Sequence, residues 1–433
     1  MLIRSSIAGG VMLLLSTLAH GATIIVNSNS GNANVPGWCT LRDAMQAVND
    51  LAPRGGCPPG DGYGNDTIVL PPFAVITLTQ ADAGLFNGTA YPGAGLPPIG
   101  RNLTMVGNNS TIQRDAALPC PLNGSAAASE FRFLHVLPTG DAFVRDITFL
   151  NGCADDPGSN GNGGAIRMEG FLELIGGLEQ LGQANYGGGA IASTGTLTLI
   201  GNTIGDNSAN VLGGGIFASG TTNIFGSAII HNSAGSQGGG GIYLSNGVIL
   251  NSTLALNSTT GPGSAIAYNI LSGGGTLNVV NTTVTNNSST YFAPSGVYAN
   301  GTGQLVIKNS LFAANGNANC SFSGAPGTAA VGANISSDNT CTGFSLPNTN
   351  PWLGAFAGNG GLTANYALLP TSPAIDAVTD CTRVDGKTAV SVDQRGFARP
   401  INATGAPVSH CDIGAFEYDP KRIFVDSFDV WLP

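Results

Sequence analysis

The sequence contains very little charge. Only 9% of its 433 residues are Asp, Glu, Lys or Arg, and the formal net charge is −10. An acidic protein repels phosphate groups, so neither nucleic acid nor an anionic lipid surface is expected as a partner. The chain also lacks the high charge and the scarcity of apolar residues that typify disorder, because 42% of its residues are hydrophobic. A folded protein is therefore predicted.

Long apolar runs and helical periodicity are missing as well. No segment after residue 22 offers about 18 consecutive apolar residues, so no transmembrane helix is predicted. Apart from one segment near the N-terminus, no stretch repeats its apolar residues with the 3.6-residue period of a helix. Short runs of Val, Ile, Leu and Thr bounded by Gly, Asn and Ser, such as residues 196–200, predict strands and tight turns instead.

Carboxylates are absent from the middle of the chain. Between Asn207 and Ser337 there is no Asp and no Glu, and Lys308 and His231 are the only basic residues. Polysaccharide hydrolases need two carboxylates at the scissile bond, and lyases need a base together with an acid or a metal. We therefore predict that this part of the chain is not catalytic, and that His231 is a solvated turn residue.

What the sequence does contain is a repeat of about 25 residues. The phrase Gly-Gly-Gly-x-Ile and its degraded copies place an aliphatic anchor at Ile166, Ile191, Ile216, Ile242, Ile266 and Val297. A second phrase ends in Asn-Ser, with its asparagine at Asn207, Asn232, Asn257 and Asn287. A fixed period of this length indicates a solenoid. We predict an all-β, right-handed parallel β-helix, with the handedness taken from fold analogy, in which stacked asparagines bond from coil to coil.

The ends of the chain do not follow the repeat. Residues 1–22 have the form of a secretory signal peptide. In residues 23–64, Thr40 and Asp43 resemble a capping box, and the amphipathic helix that they begin is predicted to cap the open first coil. The remaining boundaries assign the coils to 65–337, a non-repetitive C-terminal cap to 338–418 and a short tail to 419–433.

All eight cysteines lie after the predicted signal peptide. An even number of cysteines in an exported chain indicates disulfides, and neighbours in the sequence of a solenoid are also neighbours in space. Local pairing is therefore predicted, as Cys39–Cys57, Cys120–Cys153, Cys320–Cys341 and Cys381–Cys411. A zinc site is the alternative, but the chain has no Cys-x-x-Cys pair with a nearby His.

Two sets of terminal motifs resemble those of known exported proteins. Residues 39–45, Cys-Thr-Leu-Arg-Asp-Ala-Met, are similar to the Cys-Ser-Leu-Arg-Glu-Ala-Ile motif near the start of many exported bacterial repeat proteins. Residues 359–363, 367–376, 393–400 and 411–417 resemble the characteristic run of the choice-of-anchor Q family. This resemblance implies a secreted or surface-attached right-handed β-helix, and it supplies no catalytic residues.

Acids and bases gather near the first regular coils. Strand alternation counted from the first anchor turns Arg167, Glu169 and Glu173 outward, and together with Asp146 they form a candidate catalytic set. A solvated strand with an ion pair is the alternative interpretation.

A second group of charges lies in the C-terminal segment. These charges are expected to satisfy the backbone of the cap through pairs of Arg and carboxylate, with a catalytic site as the alternative. Oxygen ligands at Asp155 and Asp156, or at Asp380 and Asp385, could hold calcium, but neither a metal nor a cofactor is predicted.

The outward face of the repeat offers aromatic and polar side chains. One residue after the anchors come Phe217, Tyr243 and Tyr298, and three residues after them come Ser219, Ser245 and Asn300. Aromatic rings beside hydroxyl and amide groups suit a sugar-binding surface. The alternative is an aromatic ladder that only stabilises the stacked strands.

Together these features predict an exported protein, extracellular or on the outer surface of a bacterial cell. The predicted role is a scaffold of the adhesin or binding type, with a neutral polysaccharide or a cell-surface glycan as partner and a monomeric state favoured. The alternative is a polysaccharide-degrading enzyme, either a lyase or a glycoside hydrolase of the pectin-lyase-like fold, with its site between Asp141 and Glu173.

Overall fold

The computed structural model describes residues 21–421, apart from 63, 83–84, 92, 126, 271–274, 291–293, 325–326, 404 and 406–408. Residues 1–20 of the predicted signal peptide and residues 422–433 of the predicted tail lie outside the described residues. The described chain consists almost entirely of β-strands and turns.

Parallel strands stack into a β-solenoid, which confirms the predicted fold class. Twenty-five strands form one continuous sheet. The six predicted anchors, from Ile166 to Val297, lie in direct register, so the repeat in the sequence is the repeat of the structure. Between the strands Leu134–Val136 and Cys320–Gly324 there are about seven turns, about 28 residues apart. This exceeds the predicted 25 because some coils, such as the one between Leu134 and Ile166, contain longer loops.

Each regular coil contributes strands to four columns that run along the solenoid. The first column contains the anchors: Leu134–Val136, Ile166–Met168, Ile191–Ser193, the start of Ile216–Phe225, the start of Ile242–Leu250, Ile266–Ile270, Val297–Gly301 and Cys320–Gly324. The second contains Thr23–Ile25, Asp66–Val69, the starts of Asn102–Arg114 and Asp141–Leu150, Phe171–Ile175, Thr196–Ile200, the ends of Ile216–Phe225 and Ile242–Leu250, Thr276–Val280, Gln304–Lys308 and Gly327–Val331.

The third column contains Val75–Leu78, the ends of Asn102–Arg114 and Asp141–Leu150, Leu178–Gln180, Thr203–Gly205, Ala228–Ile230, Thr253–Ala255, Thr283–Thr285, Leu311–Ala313 and Ile335–Ser336. The fourth contains the two-residue strands Cys153–Ala154, Gln183–Ala184, Ser208–Ala209, Ser233–Ala234, Ser258–Thr259 and Ser288–Ser289. Outside the columns are the antiparallel pairs Leu85–Phe86 with Thr89–Ala90 and Leu353–Ala357 with Asn365–Leu368, the α-helix Leu41–Asp50 and the 3₁₀ turn Gly158–Gly161.

Aliphatic side chains of the first three columns fill the interior of the solenoid. Along Asp141–Leu150, buried residues alternate with more exposed ones, as the two faces of a strand require. All six anchors are completely buried, and each such side chain contributes roughly 1.5–3 kcal/mol to the free energy of unfolding. Every coil also covers the open strand edge of its neighbour, so the stack is stable only as a whole.

A column of buried asparagines runs along one corner of the solenoid, as predicted. Nδ2 of Asn207 donates to Oδ1 of Asn232 at 2.9 Å, and Nδ2 of Asn232 donates to Oδ1 of Asn257 at 3.0 Å. The same bonds continue through Asn287 to Asn315. We call these residues the asparagine ladder. It satisfies polar groups that each turn would otherwise bury without partners.

The N-terminal helix follows the predicted capping pattern. The side chain of Thr40 accepts a hydrogen bond from the backbone N–H of Asp43 at 3.2 Å, and the helix spans Leu41–Asp50. Its predicted apolar face is buried in the same core cluster as the strands of the first coils. Neither this helix nor any other within the described residues is long and apolar enough to cross a membrane.

The C-terminal segment closes the last coil and also covers a flank of the solenoid, which the sequence did not predict. Near the end of the coils, Leu346 forms a parallel bridge with Ile335, and Phe344 enters the core. Residues beyond 351 then turn back along the corner between the second and third columns. We call residues 351–418 the flank segment.

Polar contacts fasten the flank segment to the coils. Oγ1 of Thr363 donates to the carbonyl oxygen of Gly226 at 3.0 Å, and Oγ1 of Thr253 donates to Oε1 of Gln394 at 2.6 Å. The buried ammonium group of Lys308 lies 2.7 Å from Oδ2 of Asp380. The corner turns carry polar groups at these positions, and the flank segment supplies their partners.

All four predicted disulfides are present. The paired Cα atoms are 4.5–6.0 Å apart, in the bonds Cys39–Cys57, Cys120–Cys153, Cys320–Cys341 and Cys381–Cys411. Closing loops of this length stabilises the folded state by about 3 kcal/mol per bond in the chain-entropy picture. The bonds lie near both ends of the solenoid and within the flank segment.

Candidate functional site

The predicted ligand-binding aromatics lie in a single outward row of the first column. The row contains the residue after each anchor position, which is His135, Arg167, Ala192, Phe217, Tyr243, Ala267, Tyr298 and Ser321 in order along the solenoid. Neighbouring members belong to paired strands, about 4.8 Å apart. We call this set the outward row.

Phe217 and Tyr243 contact each other, but they differ in exposure. Their ring centroids are 5.8 Å apart and their planes meet at 57°. Tyr243 is only 8% exposed and packs with Leu212 and Ala267, whereas Phe217 remains partly exposed. Tyr298 is also partly exposed and is separated from Tyr243 by Ala267. Within the outward row, the rings of Phe217 and Tyr298 are therefore more exposed than the ring of Tyr243.

The polar residues predicted beside the rings do not form a straight row. Ser219 is exposed, and Ser245 and Asn300 are partly buried. The pairing between the two coils shifts between Ala218 and Thr221, so Ser219 is not opposite a register partner. The spacing of the sequence repeat does not reveal this shift, because the anchors before and after it remain in register.

The four catalytic candidates lie in three different places. Nη2 of Arg167 is 2.9 Å from Oε1 of Glu169, and both residues line a cavity. Glu173 lies on the second column, in register with Thr198, and is not among the residues that line this cavity. Asp146 has a φ of 55° at the corner between the second and third columns. The structure therefore brings Arg167 and Glu169 together and separates them from the other two candidates.

The cavity beside Arg167 and Glu169 has a volume of about 730 Å³. It lies at the N-terminal end of the outward row, where the strands of the first column meet the long loops of the early coils. We call it the N-terminal cavity. Its other ionisable or aromatic lining residues are Asp82, Tyr91, Glu130, Arg132, His135 and Asp156.

His135 is a buried histidine in the wall of the N-terminal cavity. Its Nε2 lies 3.3 Å from Oε1 of Glu169, and the ring of Tyr91 meets it edge-on with centroids 5.7 Å apart. Burial, followed by the charges of Arg132 and Arg167, lowers the pKa of His135 to about 4. The imidazole is therefore neutral at neutral pH. Its Nε2–H donates to Glu169, which leaves Nδ1 as an acceptor.

Ion pairs occupy most of the charges around the N-terminal cavity. Nη2 of Arg132 lies 3.9 Å from Oδ2 of Asp156, and Nη1 of Arg42 lies 3.6 Å from Oδ2 of Asp82. Burial lowers the pKa of Arg132 to about 10, which still leaves it charged at neutral pH. Glu130 differs from the other acids: its Oε2 accepts a backbone N–H at 2.8 Å, and it has no ion pair within the described residues.

Sequence reasoning did not find His135 or the loop residues of this cavity. His135 had a signal, because Leu134 occupies the anchor position one coil before Ile166. The step between these two anchors is longer than the period, and the repeat is degraded there, so the anchor position of Leu134 is hard to recognise in the sequence. The loop residues had no signal, since only the folding of the long early coils brings them to the first column.

The charges of the flank segment form a buried structural network. Oδ2 of Asp393 lies 2.6 Å from Nη2 of Arg395, and Nε of Arg399 lies 3.1 Å from Oε2 of Glu417. Burial and the neighbouring Glu417 raise the pKa of Asp412 to about 8. These carboxylates also accept backbone N–H groups, among them that of Tyr418 by Asp412. The arrangement matches the cap role expected for these residues.

No metal site is evident in the part of the chain that the structure describes. No group of three or more His, Cys, Asp or Glu side chains there could hold a metal ion. Of the acids considered for calcium, Asp155 is buried and accepts the backbone N–H groups of Asn123 and Gly124. Asp385 accepts those of its own loop, at Lys387 and Thr388.

The resemblance of the chain's terminal motifs to the choice-of-anchor Q family remains a prediction. No family model, no curated protein and no solved structure matches the chain.

Proposed function

We propose that the protein is an exported, non-catalytic scaffold whose outward row binds an uncharged glycan. The absence of Asp and Glu between Asn207 and Ser337 carries the proposal, because this stretch contains Phe217 and Tyr298. A surface without carboxylates cannot perform acid–base hydrolysis. Aromatic rings can still pack against the apolar face of a sugar, and the neighbouring hydroxyl and amide groups can bond its hydroxyls.

The two basic residues of this stretch also support a non-catalytic role. Lys308 is buried and bound to Asp380 and Thr382 of the flank segment. His231 sits at a turn with a φ of 55°, and its side chain is 47% exposed. Neither residue belongs to the outward row, so neither is placed to act on a glycan bound there.

The four disulfides support an exported location. Such bonds persist in oxidising compartments and are rare in the bacterial cytosol. We place the protein outside the cell or on its outer surface, where a glycan-binding scaffold meets its partner.

A glycan array followed by titration tests the proposal. The highest-scoring neutral glycan should bind weakly. Its affinity should change little with salt, because the part of the outward row from Ala192 to Ser321 carries no charge. Phe217→Ala and Tyr298→Ala should each weaken binding about fivefold, since each removes one ring contact worth roughly 1 kcal/mol. Trp38→Ala is the matched control, because it removes a ring that is 50% exposed and lies outside the row.

Two results would refute the proposal. One is an array in which no neutral glycan binds. The other is unchanged affinity in both Phe217→Ala and Tyr298→Ala. Tyr243→Ala does not serve as a test, because the low exposure of that ring makes loss of folding stability the expected effect.

The N-terminal cavity supports a second candidate, a polysaccharide-degrading enzyme. Arg167, Glu169 and His135 meet there, so an acid, a cation and a neutral imidazole lie within contact distance. Such an enzyme should release reducing ends, or products with an ultraviolet-absorbing double bond, from a panel of polysaccharides. His135→Phe should abolish this release. If the unmodified protein releases no product from any polysaccharide, the enzyme is excluded and the scaffold remains as the candidate.

A further inference from the structure

The N-terminal cavity is continuous with the outward row. Arg167 belongs to the row and also lines the cavity, together with the Glu169 carboxylate that it contacts. Phe217 lies two coils further along the row, which corresponds to about 10 Å at the spacing of paired strands. Only the small side chain of Ala192 stands between them in the row. A molecule that lies along the row can therefore contact Phe217 and enter the cavity at the same time.

The outward row ends at this cavity. His135, the first member of the row, is only 7% exposed. The ring of Tyr91 meets its imidazole edge-on and also lines the cavity. Tyr91 comes from the N-terminal side, because the nearby Ala94 belongs to the preceding coil and pairs in parallel with Arg132. An extended molecule that follows the row in this direction meets a wall, so its end lies in the cavity.

The charges around the cavity balance. Each described acidic side chain of the lining has a guanidinium near it. The pairs are Asp82 with Arg42, Asp156 with Arg132, Glu169 with Arg167 and, beyond ion-pair distance, Glu130 with Arg114. The imidazole of His135 is neutral at neutral pH. The wall therefore attracts neither an anion nor a cation, and it suits a ligand without charge.

The accessible groups of the lining suit hydroxyl groups. The side chains of Arg167 and Glu169 are each 25% exposed, and that of Asp156 is 22% exposed. A guanidinium only donates hydrogen bonds and a carboxylate only accepts them, whereas a hydroxyl does both. Neighbouring hydroxyls of a sugar can therefore bond both members of the Arg167–Glu169 pair. The partly exposed ring of Tyr91 supplies an apolar face in the same wall.

We propose that the N-terminal cavity binds the terminal residue of a neutral glycan whose chain continues along the outward row. Arg167 and Glu169 bond the hydroxyls of the terminal residue, and Tyr91 packs against its ring. The inner residues of the glycan contact Phe217 and Tyr298. Five strand pairings separate Arg167 from Tyr298, so the bound segment is about 24 Å long. This inference rests on the proposed function and adds that the protein recognises the end of a chain.

Isothermal titration of the disulfide-bonded protein with blocked glycans tests the recognition of an end. The probes are octamers of β-1,4-linked glucose, or of a neutral glycan that scores higher on the array. One form is unmodified, and two others carry a bulky trityl group at the reducing or at the non-reducing end. The octamer blocked at the end that enters the cavity should bind about tenfold more weakly, because its hydrogen bonds there are lost. The other blocked octamer should bind like the unmodified one. Equal affinities of the two blocked octamers would overturn the inference.

Two variants assign the recognition of the end to the cavity. Arg167→Met keeps most of the side-chain volume but removes the guanidinium, and it should weaken binding of the unmodified octamer about tenfold. Blocking either end should then have no further effect, since both changes remove the same contact. Tyr91→Leu should weaken binding about fivefold through the loss of a ring contact. Additive effects of Arg167→Met and the blocking group would contradict the assignment.

The matched control is Arg145→Met, which alters an exposed arginine of the second column outside the cavity. It should bind all three octamers as the parent does. Far-ultraviolet circular dichroism establishes that each variant is folded. If Arg167→Met does not fold, the blocked octamers still decide the question with the unmodified protein.

Phe217→Ala separates the inference from the proposed function. It should weaken binding of all three octamers by the same factor, because its ring contacts the glycan outside the cavity. If Phe217→Ala weakens binding but neither blocking group does, the outward row binds the glycan and the inference about the cavity is wrong. If no octamer binds, both the proposed function and the inference are wrong.

Discussion

Glu179 is a carboxylic acid buried in the interior of the solenoid. It is in register with Phe149 and Ile204, whose side chains belong to the core, and it is 0% exposed. Neither carboxyl oxygen has a well-formed hydrogen bond within the described residues. Burial raises the pKa of Glu179 to about 8, although the nearby side chain of Asn202 opposes this change. The group is therefore largely protonated in the folded protein at neutral pH.

Replacing Glu179 by Gln should remove a pH-dependent loss of stability. The unfolded carboxyl releases its proton near pH 4.5, whereas the folded one keeps it up to about pH 8. Between these values the folded state binds more protons, so the parent's free energy of unfolding falls with rising pH, by about 1.4 kcal/mol per unit. The loss is absent below pH 4.5 and complete above pH 8.

Denaturant unfolding at several pH values measures this effect. Glu179→Gln should match the parent near pH 4.5 and exceed its free energy of unfolding by roughly 4–5 kcal/mol at pH 8. The control Glu173→Gln changes an outward carboxyl on the preceding strand and should follow the parent. If the free energies of unfolding of the parent and of Glu179→Gln fell in parallel with rising pH, Glu179 would not be the source of the pH dependence.

The asparagine ladder connects the corner turns of neighbouring coils. Oδ1 of Asn257 accepts both the backbone N–H and the side-chain amide of Asn232. Its Nδ2 donates to the carbonyl oxygen of Ile229 and to Asn287. Asn257 is completely buried, so these partners have no access to water once the side chain is removed.

Asn257→Ala should therefore lower the free energy of unfolding by about 3 kcal/mol or more, because several buried polar groups lose their partner at once. Asn210→Ala is the matched control: Asn210 is exposed and donates only surface bonds, so its loss should cost roughly 0.5 kcal/mol or less. Denaturant unfolding followed by circular dichroism measures both. If both substitutions lowered the free energy of unfolding equally, the buried hydrogen bonds of the ladder would contribute no more than the surface hydrogen bonds of Asn210.

Lys308 connects the two large parts of the molecule, the coils and the flank segment. Its ammonium group donates to Asp380, Thr382 and the carbonyl oxygen of Arg383. The side chain is 2% exposed, whereas that of Asp380 is 51% exposed. The Lys308 ammonium, together with hydrogen bonds from Thr382, lowers the pKa of Asp380 to about 2.

Lys308→Met should loosen the flank segment without unfolding the coils. Methionine fills the buried site, and Asp380 can be solvated when its partner is lost, so no buried charge remains. Hydrogen exchange should become faster in residues 376–391, while residues 196–260 keep the protection of the parent. Lys387→Met, which alters an exposed lysine of the same segment, should leave both regions unchanged. Faster exchange throughout the coils would mean that Lys308 supports the solenoid itself.

Much of this molecule could be predicted from its repeat. The anchors, the asparagine ladder and the disulfide pairs follow from spacing, because a solenoid places residues about one period apart next to each other. The N-terminal helix follows instead from its capping residues and its apolar face. The candidate site was predicted only in part. Arg167 and Glu169 do meet, but Asp146 and Glu173 lie elsewhere, since the corner between columns separates residues that are close in the sequence.

The inward-facing residues could be identified from the amino-acid pattern alone, because the period and the alternation of a strand follow from backbone geometry. The way in which loops and distant segments cover the coils depends on the three-dimensional packing of the chain. This packing placed His135 and Glu130 around one cavity, buried Tyr243 in a small cluster and brought Asp380 to Lys308. Each of these contacts involves at least one residue of a loop or of the flank segment, and its position depends on long-range packing that no local pattern encodes.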